Sequence, residues 1–341
     1  MRTKKIITIA VCAGLLSACG QTESGSSTAN STSSAAGSGQ EVTIDNCGFE
    51  VKFATTPSRT VTLEQASTDT LLALGVEDRM VGTSNLKTSV LPEYQAAFDA
   101  IPVLAAKVIS AEELRNADPD FVYSPFQSFF TADKVGTREE LRDLGVNTYH
   151  SNVECRDYGD NKGKSAFDLI EKDISDLGKI YGVEDRAKEL IAEQNKAIEA
   201  AKNKGDGTTV LYLYSLYKGA PYVAGSLGVG QSISDITGAK NVMEDVSELW
   251  PEVGWEAIAD KNPDVIVVGD LKERGAPGDS YEDKIAAMKE DPIMSQLDAV
   301  KHDRFIRVPG VELDANVRSV NSLTIIADEL ANGIATKGAQ S

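Results

Sequence analysis

The chain's chemically suggestive residues are aromatic and sit in loops. Ser124-Pro125-Phe126-Gln127-Ser128-Phe129-Phe130 follows a predicted strand, and its phenylalanines follow neither helical nor strand spacing. Tyr214-Ser215-Leu216-Tyr217-Lys218 also follows a strand and runs on to Pro221-Tyr222. Trp250 and Trp255 flank Pro251-Glu252-Val253-Gly254, and Lys87 ends the polar stretch from Asn85. Tyr and Trp present a flat apolar face with a polar tip. Loops at strand ends are where open α/β sheets hold ligands. The expected chemistry is capture of a bulky solute between walls, with core packing as the alternative for the phenylalanines. Catalysis is poorly supported. There is no Gly-x-Ser-x-Gly, and Gly225-Ser226-Leu227-Gly228-Val229-Gly230 is not the Gly-x-Gly-x-x-Gly of a dinucleotide site. The two histidines, His150 and His302, are too few for a His-rich metal centre.

Two alternating strand–helix halves would position these loops. The first predicts strands around the turn Asn46-Cys47-Gly48 and at Thr60–Leu63, Met80–Thr83, Phe121–Tyr123 and Asn147–His150. Its helices are Ala66–Leu74, Ser110–Asn116 and Thr137–Leu144, and Ile101–Val103 is short and extended. The second half predicts strands at Val210–Tyr214, Val265–Val268 and Phe305–Val308, with helices at Ser232–Thr237, Tyr281–Met288 and Val317–Ala335. Strands alternating with helices imply mostly parallel sheets. The halves echo each other: a helix, then Pro119-Asp120 or Pro263-Asp264, then an apolar strand. Between them, 165–204 reads as helix, with a capping box at Ser165 and Asp168 and a break at Gly182. The stretch 165–181 closes the first half, and 183–204 joins the two.

At 341 residues two domains are expected, and 41% hydrophobic with 25% charged residues is ordinary for a globular chain. The net charge of −18 argues against nucleic-acid binding. Arg2, Lys4 and Lys5 precede the apolar run Ile6–Leu16, the pattern of a secretory signal. Leu16-Ser17-Ala18-Cys19 resembles the bacterial lipobox, which implies cleavage before Cys19 and a diacylglyceryl group on its thiol; a plain signal peptide is the alternative. Losing residues 1–18 removes three positive charges and no acids, so −18 becomes −21. Residues 20–40 hold almost nothing large and apolar and read as a tether. Cys12 lies in the signal, so Cys47 and Cys155 remain for an oxidising compartment. One disulfide is the natural pairing, two buried thiols the alternative.

The lipobox, the paired helix–Pro-Asp–strand units and the connecting helix together resemble the class III periplasmic-binding-protein family, the substrate-binding lipoproteins of ABC importers for ferric siderophores and cobalamin. The resemblance covers about 42–335. It is carried by 66–76, by Gly254–Ile258 with Asn262–Val268, and by 232–242, whose Gly-Ala-Lys-Asn stands where the family has Gly-Gly-x-Asn. It implies an α/β fold of two Rossmann-like lobes joined by a single long α-helix, with a ligand cleft between them. The divisions are 1–18 signal, 19–40 lipidated Cys19 and tether, 41–182 N-terminal lobe, 183–204 inter-lobe helix and 205–341 C-terminal lobe.

The function so implied is capture of an iron chelate and delivery to an ABC permease with its ATPase. A corrinoid such as cobalamin, or another large planar cofactor such as haem, is the second ligand class. A bare-metal receptor and a lipid-anchored enzyme are the competing readings. The protein would be a monomer on the outer membrane face, held by the Cys19 lipid, with no other covalent cofactor. One acid per lobe would dock the permease: Asp69, where the family usually has Glu, and Asp235. Arg318 resembles an arginine that the siderophore group uses against ligand oxygens; otherwise it pairs with Glu312 or Asp314 at a helix start.

Overall fold

The structure is a computed structural model and describes residues 41–338. The expected signal, Cys19 lipid site and tether lie outside those residues. The first element is the hairpin of β1 (Val42–Asn46) and β2 (Phe49–Phe53), turning at Cys47-Gly48. A parallel sheet follows: β3 (Thr60–Leu63), β4 (Met80–Ser84), β5 (Val103–Ala105), β6 (Phe121–Ser124) and β7 (Asn147–His150), in the order β5-β4-β3-β6-β7. Its helices are α1 (Gln65–Leu74), α2 (Gln95–Phe98), α3 (Ala111–Asn116) and α4 (Arg138–Asp143). The second sheet contains β8 (Thr209–Tyr217), β9 (Ala220–Val223), β10 (Lys240–Asn241), β11 (Val265–Asp270) and β12 (Phe305–Pro309). Here β10-β8-β11-β12 are parallel, and β9 pairs antiparallel with β8. Its helices are α7 (Val229–Thr237), α8 (Trp255–Lys261), α9 (Tyr281–Glu290), α10 (Asp298–Lys301) and α11 (Ser319–Ala331).

Two helices lie in sequence between the sheets, α5 (Ala166–Tyr181) and α6 (Glu184–Ala201). Ser165 caps α5 by accepting from the Asp168 N–H, and Asp168 accepts in return from the Ser165 N–H at 2.9 Å. Gly182 stops the helix at φ 70°, a left-handed position that costs glycine little. The chain then turns back so tightly that a Cβ on Gly178 would lie 2.6 Å from the Ala187 Cβ. Helix α6 packs on α5, α1 and α11, so the connector touches elements of both halves.

The repeated Pro-Asp units have a structural cause. Strands β6 and β11 hold matching places, each beside the first strand of its sheet, β3 or β8. Asp120 accepts from the Ser58 and Arg59 N–H groups at 2.8 and 3.0 Å, just before β3. Asp264 accepts from the Thr209 N–H at 2.9 Å, at the start of β8. Each aspartate fixes the amino end of the neighbouring strand, while the preceding proline ends the helical run.

Cys47 and Cys155 are joined, with 5.7 Å between their Cα atoms. The bridge ties the first hairpin to the turn after β7. Beneath it, Arg138 donates to the Asn46 carbonyl and side-chain oxygens and to Thr148, so the buried guanidinium is satisfied by neutral acceptors.

Candidate functional site

The carboxyl ends of the parallel strands face a common cleft. Strand β3 leads to Glu64, β4 to Lys87, β6 to Phe126, β11 to Lys272 and Glu273, and β12 to Glu312, Asp314 and Arg318, while β8 carries Tyr214 just past its pairing with β11. A cavity of about 620 Å3 opens there, lined by 87–92 of the first half and by Asp270–Glu273, Arg307, Pro309 and Arg318 of the second. That volume lies in the range of small-molecule sites.

Two ionic clusters cross the cleft. In one, the Lys87 ammonium lies 2.9 Å from Glu64 Oε1 and donates to Asp314 Oδ2 at 2.9 Å and Tyr214 Oη at 3.1 Å. Tyr214 Oη in turn donates to Asp314 Oδ2 at 2.9 Å. Lys87 also lies 5.5 Å from the Phe126 ring centre and 5.8 Å from that of Tyr214, within cation–π range. Trp250 stacks on Tyr214 at 4.4 Å. In the second cluster, Arg318 donates to Asp69 Oδ2 at 3.3 Å and, by Nη2, to Glu312 Oε1 at 3.2 Å. Gln65 donates to the other Asp69 oxygen at 3.0 Å. The lobes also meet at Ser89, whose N–H donates to Glu273 at 2.7 Å.

Burial governs the charges. It raises the Glu64 carboxyl against the pull of Lys87, and it pushes Asp69 up to about 6 against the pull of Arg318. It raises Glu312 as well. Burial pulls Lys87 down, but Asp314 and Glu64 outweigh it and hold the ammonium well above its ordinary value. Glu64 sits at φ 97°, a costly backbone for a residue with a Cβ, and its Oε2 accepts from the Ala66 N–H at 2.9 Å to start α1. Beneath Tyr214, the fully buried Lys284 donates to the Tyr214 and Gly269 carbonyls and lies 3.4 Å from Asp279. It holds the carboxyl ends of β8 and β11 together under the cleft wall.

The structure thus gathers Lys87, Phe126, Tyr214, Trp250 and Arg318 at one cleft. The other expected wall residues lie elsewhere. Phe129 is buried in the first half's core, edge-on behind Phe126. Tyr217 and Tyr222 pair edge-on at the β8–β9 hairpin, and the Tyr222 hydroxyl donates to Glu252. Trp255 packs on the second half's core at the start of α8. Asp69 corrects the expectation of an exposed docking acid: it is 0% exposed and held by Gln65 and Arg318. Every residue of α1 is buried, so an acid in its first half has no path to a partner protein. Asp235 is exposed on α7 beside Gln231. Arg318 is nearly buried and both its neighbours are carboxylates, so its charge is already matched. Glu64, Lys284 and Asp279 escape the sequence reading because single charged residues at strand ends and in helices carry no spacing signal.

Residues 60–311 match the periplasmic binding protein family. The chain is similar to an ABC transporter substrate-binding lipoprotein of Bacillus subtilis (strain 168), YvrC, at 24% identity over 86% of this chain and 85% of the other. A solved periplasmic binding protein from Veillonella parvula DSM 2008 is 28% identical, with TM-score 0.70 over 86% of this chain and 97% of that one. An ABC-type Fe3+-hydroxamate transport system structure from Saccharomonospora viridis DSM 43017 is 28% identical, with TM-score 0.69 over 84% of this chain and 98% of that one.

Proposed function

Because the chain belongs to the periplasmic binding protein family, we propose that it captures a ferric chelate outside the cytoplasm and hands it to an ABC permease. The observation that carries this reading is the cavity at the strand ends, in a chain alike along 84% of its length to a Fe3+-hydroxamate transport protein. Such a protein binds and releases its solute and performs no reaction on it. The lobes are taken as 41–182 and 205–341, with 183–204 between them, and the Cys19 lipid as the membrane anchor of a monomer. Trp250, stacked on Tyr214 beside the ionic cluster, supplies an optical probe. Its fluorescence is to be followed with ferric hydroxamate, ferric catecholate, haem and cobalamin. Saturable quenching by a ferric chelate is expected; tight binding of cobalamin with no response to any ferric chelate overturns the reading in favour of a corrinoid.

Asp235 is the proposed docking acid of the C-terminal lobe, supported by its exposure. Asp235→Ala should leave chelate affinity unchanged and abolish uptake through the permease. Unimpaired uptake would remove the assignment.

A further inference from the structure

We propose that the chelate carries a carboxylate, which lies at the ends of β11 and β12 and accepts from Lys272 and Arg307. The proposal deepens the ferric-chelate reading and rests on it for the identity of the rest of the ligand. Its first support is the layering of charge. Lys87, Lys272, Arg307 and Arg318 line the cavity against Asp270 and Glu273. The carboxylates that hold Lys87 and Arg318 do not line it: Glu64, Asp69, Glu312 and Asp314 are at most 4% exposed and stand behind their cations. Each of these pairs therefore turns its positive end toward the cavity. The two acids in the lining are engaged as well. Asp270 pairs with Arg307 and accepts from the Lys272 and Tyr281 N–H groups at 3.1 and 3.2 Å. Glu273 accepts from the Ser89 N–H and hydroxyl at 2.7 and 2.9 Å. A solute thus meets a cationic surface in a chain that is acidic overall, and a cleft lined by one sign of charge concentrates its field.

The second support is the count of free donors. Lys87 donates to Asp314 and Tyr214 and lies against Glu64, and Arg318 donates to Asp69, Glu312 and the Ser89 carbonyl. These two supply charge but little further hydrogen bonding. Lys272 is exposed and forms no ion pair among the described residues, so its three ammonium N–H groups are open. Of its five N–H groups, Arg307 uses Nε and one on each Nη against Asp270 and Glu282, which leaves two. Both residues are fastened to Asp270, Lys272 by its backbone N–H and Arg307 by its guanidinium, so they stand together on one wall. An ammonium beside a planar fork suits a two-oxygen anion. Val90, Leu91, Leu271 and Pro309 form apolar surroundings that strengthen such a contact.

The test uses a matched pair: a linear ferric trihydroxamate ending in a carboxylate, and its methyl ester. Wild-type protein should bind the acid about tenfold tighter or more. Lys272→Gln should abolish most of that preference by weakening the acid. Lys301→Gln, which removes the same charge from α10 outside the cavity, should leave the preference as it is. Equal binding of the pair by wild type, tighter binding of the ester, or an equal effect of the two substitutions overturns the inference and leaves the ferric-chelate reading standing. Binding of neither overturns that reading, and the seat is then decided by glutarate alone. At matched ionic strength glutarate should raise the melting temperature of wild type but not of Lys272→Gln or Arg307→Gln; no rise, or the same rise in all three, overturns it.

Discussion

Arg318 shows how a residue type can suggest one role and its surroundings another. It reads as a ligand-facing cation, but Asp69 and Glu312 already hold it, and all three are nearly or fully buried. Removing one partner of such a group leaves the others charged and unpaired, typically at about 3–5 kcal/mol. Arg318→Met should therefore lose that much stability at neutral pH in urea titrations, and less near pH 5, where Asp69 is largely protonated. A loss below about 1 kcal/mol would show that the carboxylates do not depend on it. Asp69 has its own signature. Its folded pKa of about 6 lies above the roughly 4 of an unfolded aspartate. The native state thus holds the extra proton between those values, and stability falls as pH rises through them. Asp173, also raised to about 6 by burial, acts in the same sense. His150, pushed down to about 4 by burial and by Arg138, acts in the opposite sense, its stability contribution being lost as pH falls from about 6.5. Wild type minus Asp69→Asn stability should decline by on the order of 2 kcal/mol from pH 4 to pH 7. A flat difference would mean that Asp69 ionises as in water.

At the scale of elements, the sequence was most legible where structure is local. The capping box at Ser165–Asp168 and the stop at Gly182 need only neighbours a few residues away, and both are present. Helix α1 was legible as a helix but not as a buried one. It is covered on every side, so its Asp69 looks, in sequence, like any early helical acid. Its partner Arg318 is 249 residues distant, a separation on which periodicity is silent. Strand β9 is not legible, because Pro221 argues against a strand; here it pairs antiparallel with β8 and bridges Glu252 on its other side, where Pro221 only has to accept, from the Val253 N–H. The Cys47–Cys155 pairing was legible because two other cysteines had N-terminal explanations. Its loop spans 108 residues, and closing a loop of that size is worth about 4–5 kcal/mol on the chain-entropy account. Reduction should lower the urea midpoint accordingly; an unchanged midpoint would show that the hairpin and the Arg138 contacts suffice without it.

At the scale of the whole molecule, α5 and α6 form the single passage from one sheet to the other among the described residues, and α6 lies against α5, α1 and α11. A helix packed along its length bends little compared with a pair of extended strands. Scattering curves with and without a saturating chelate should therefore nearly superimpose. A clear contraction of the radius of gyration on binding would point to a wide hinge at Gly182–Val183 or after Ala201.

Lys87 also has a kinetic meaning. Its ammonium is attached by a short loop to one wall of the cleft, so its local concentration between Glu64 and Asp314 stays high, on the order of millimolar or more. Any solute group that displaces it binds as the winner of a competition with an intramolecular rival. Departure is then a substitution, since the replacement is already in place when the guest loosens. The tether weakens capture by the same factor by which it eases hand-over, a useful bargain for a protein whose task ends in letting go.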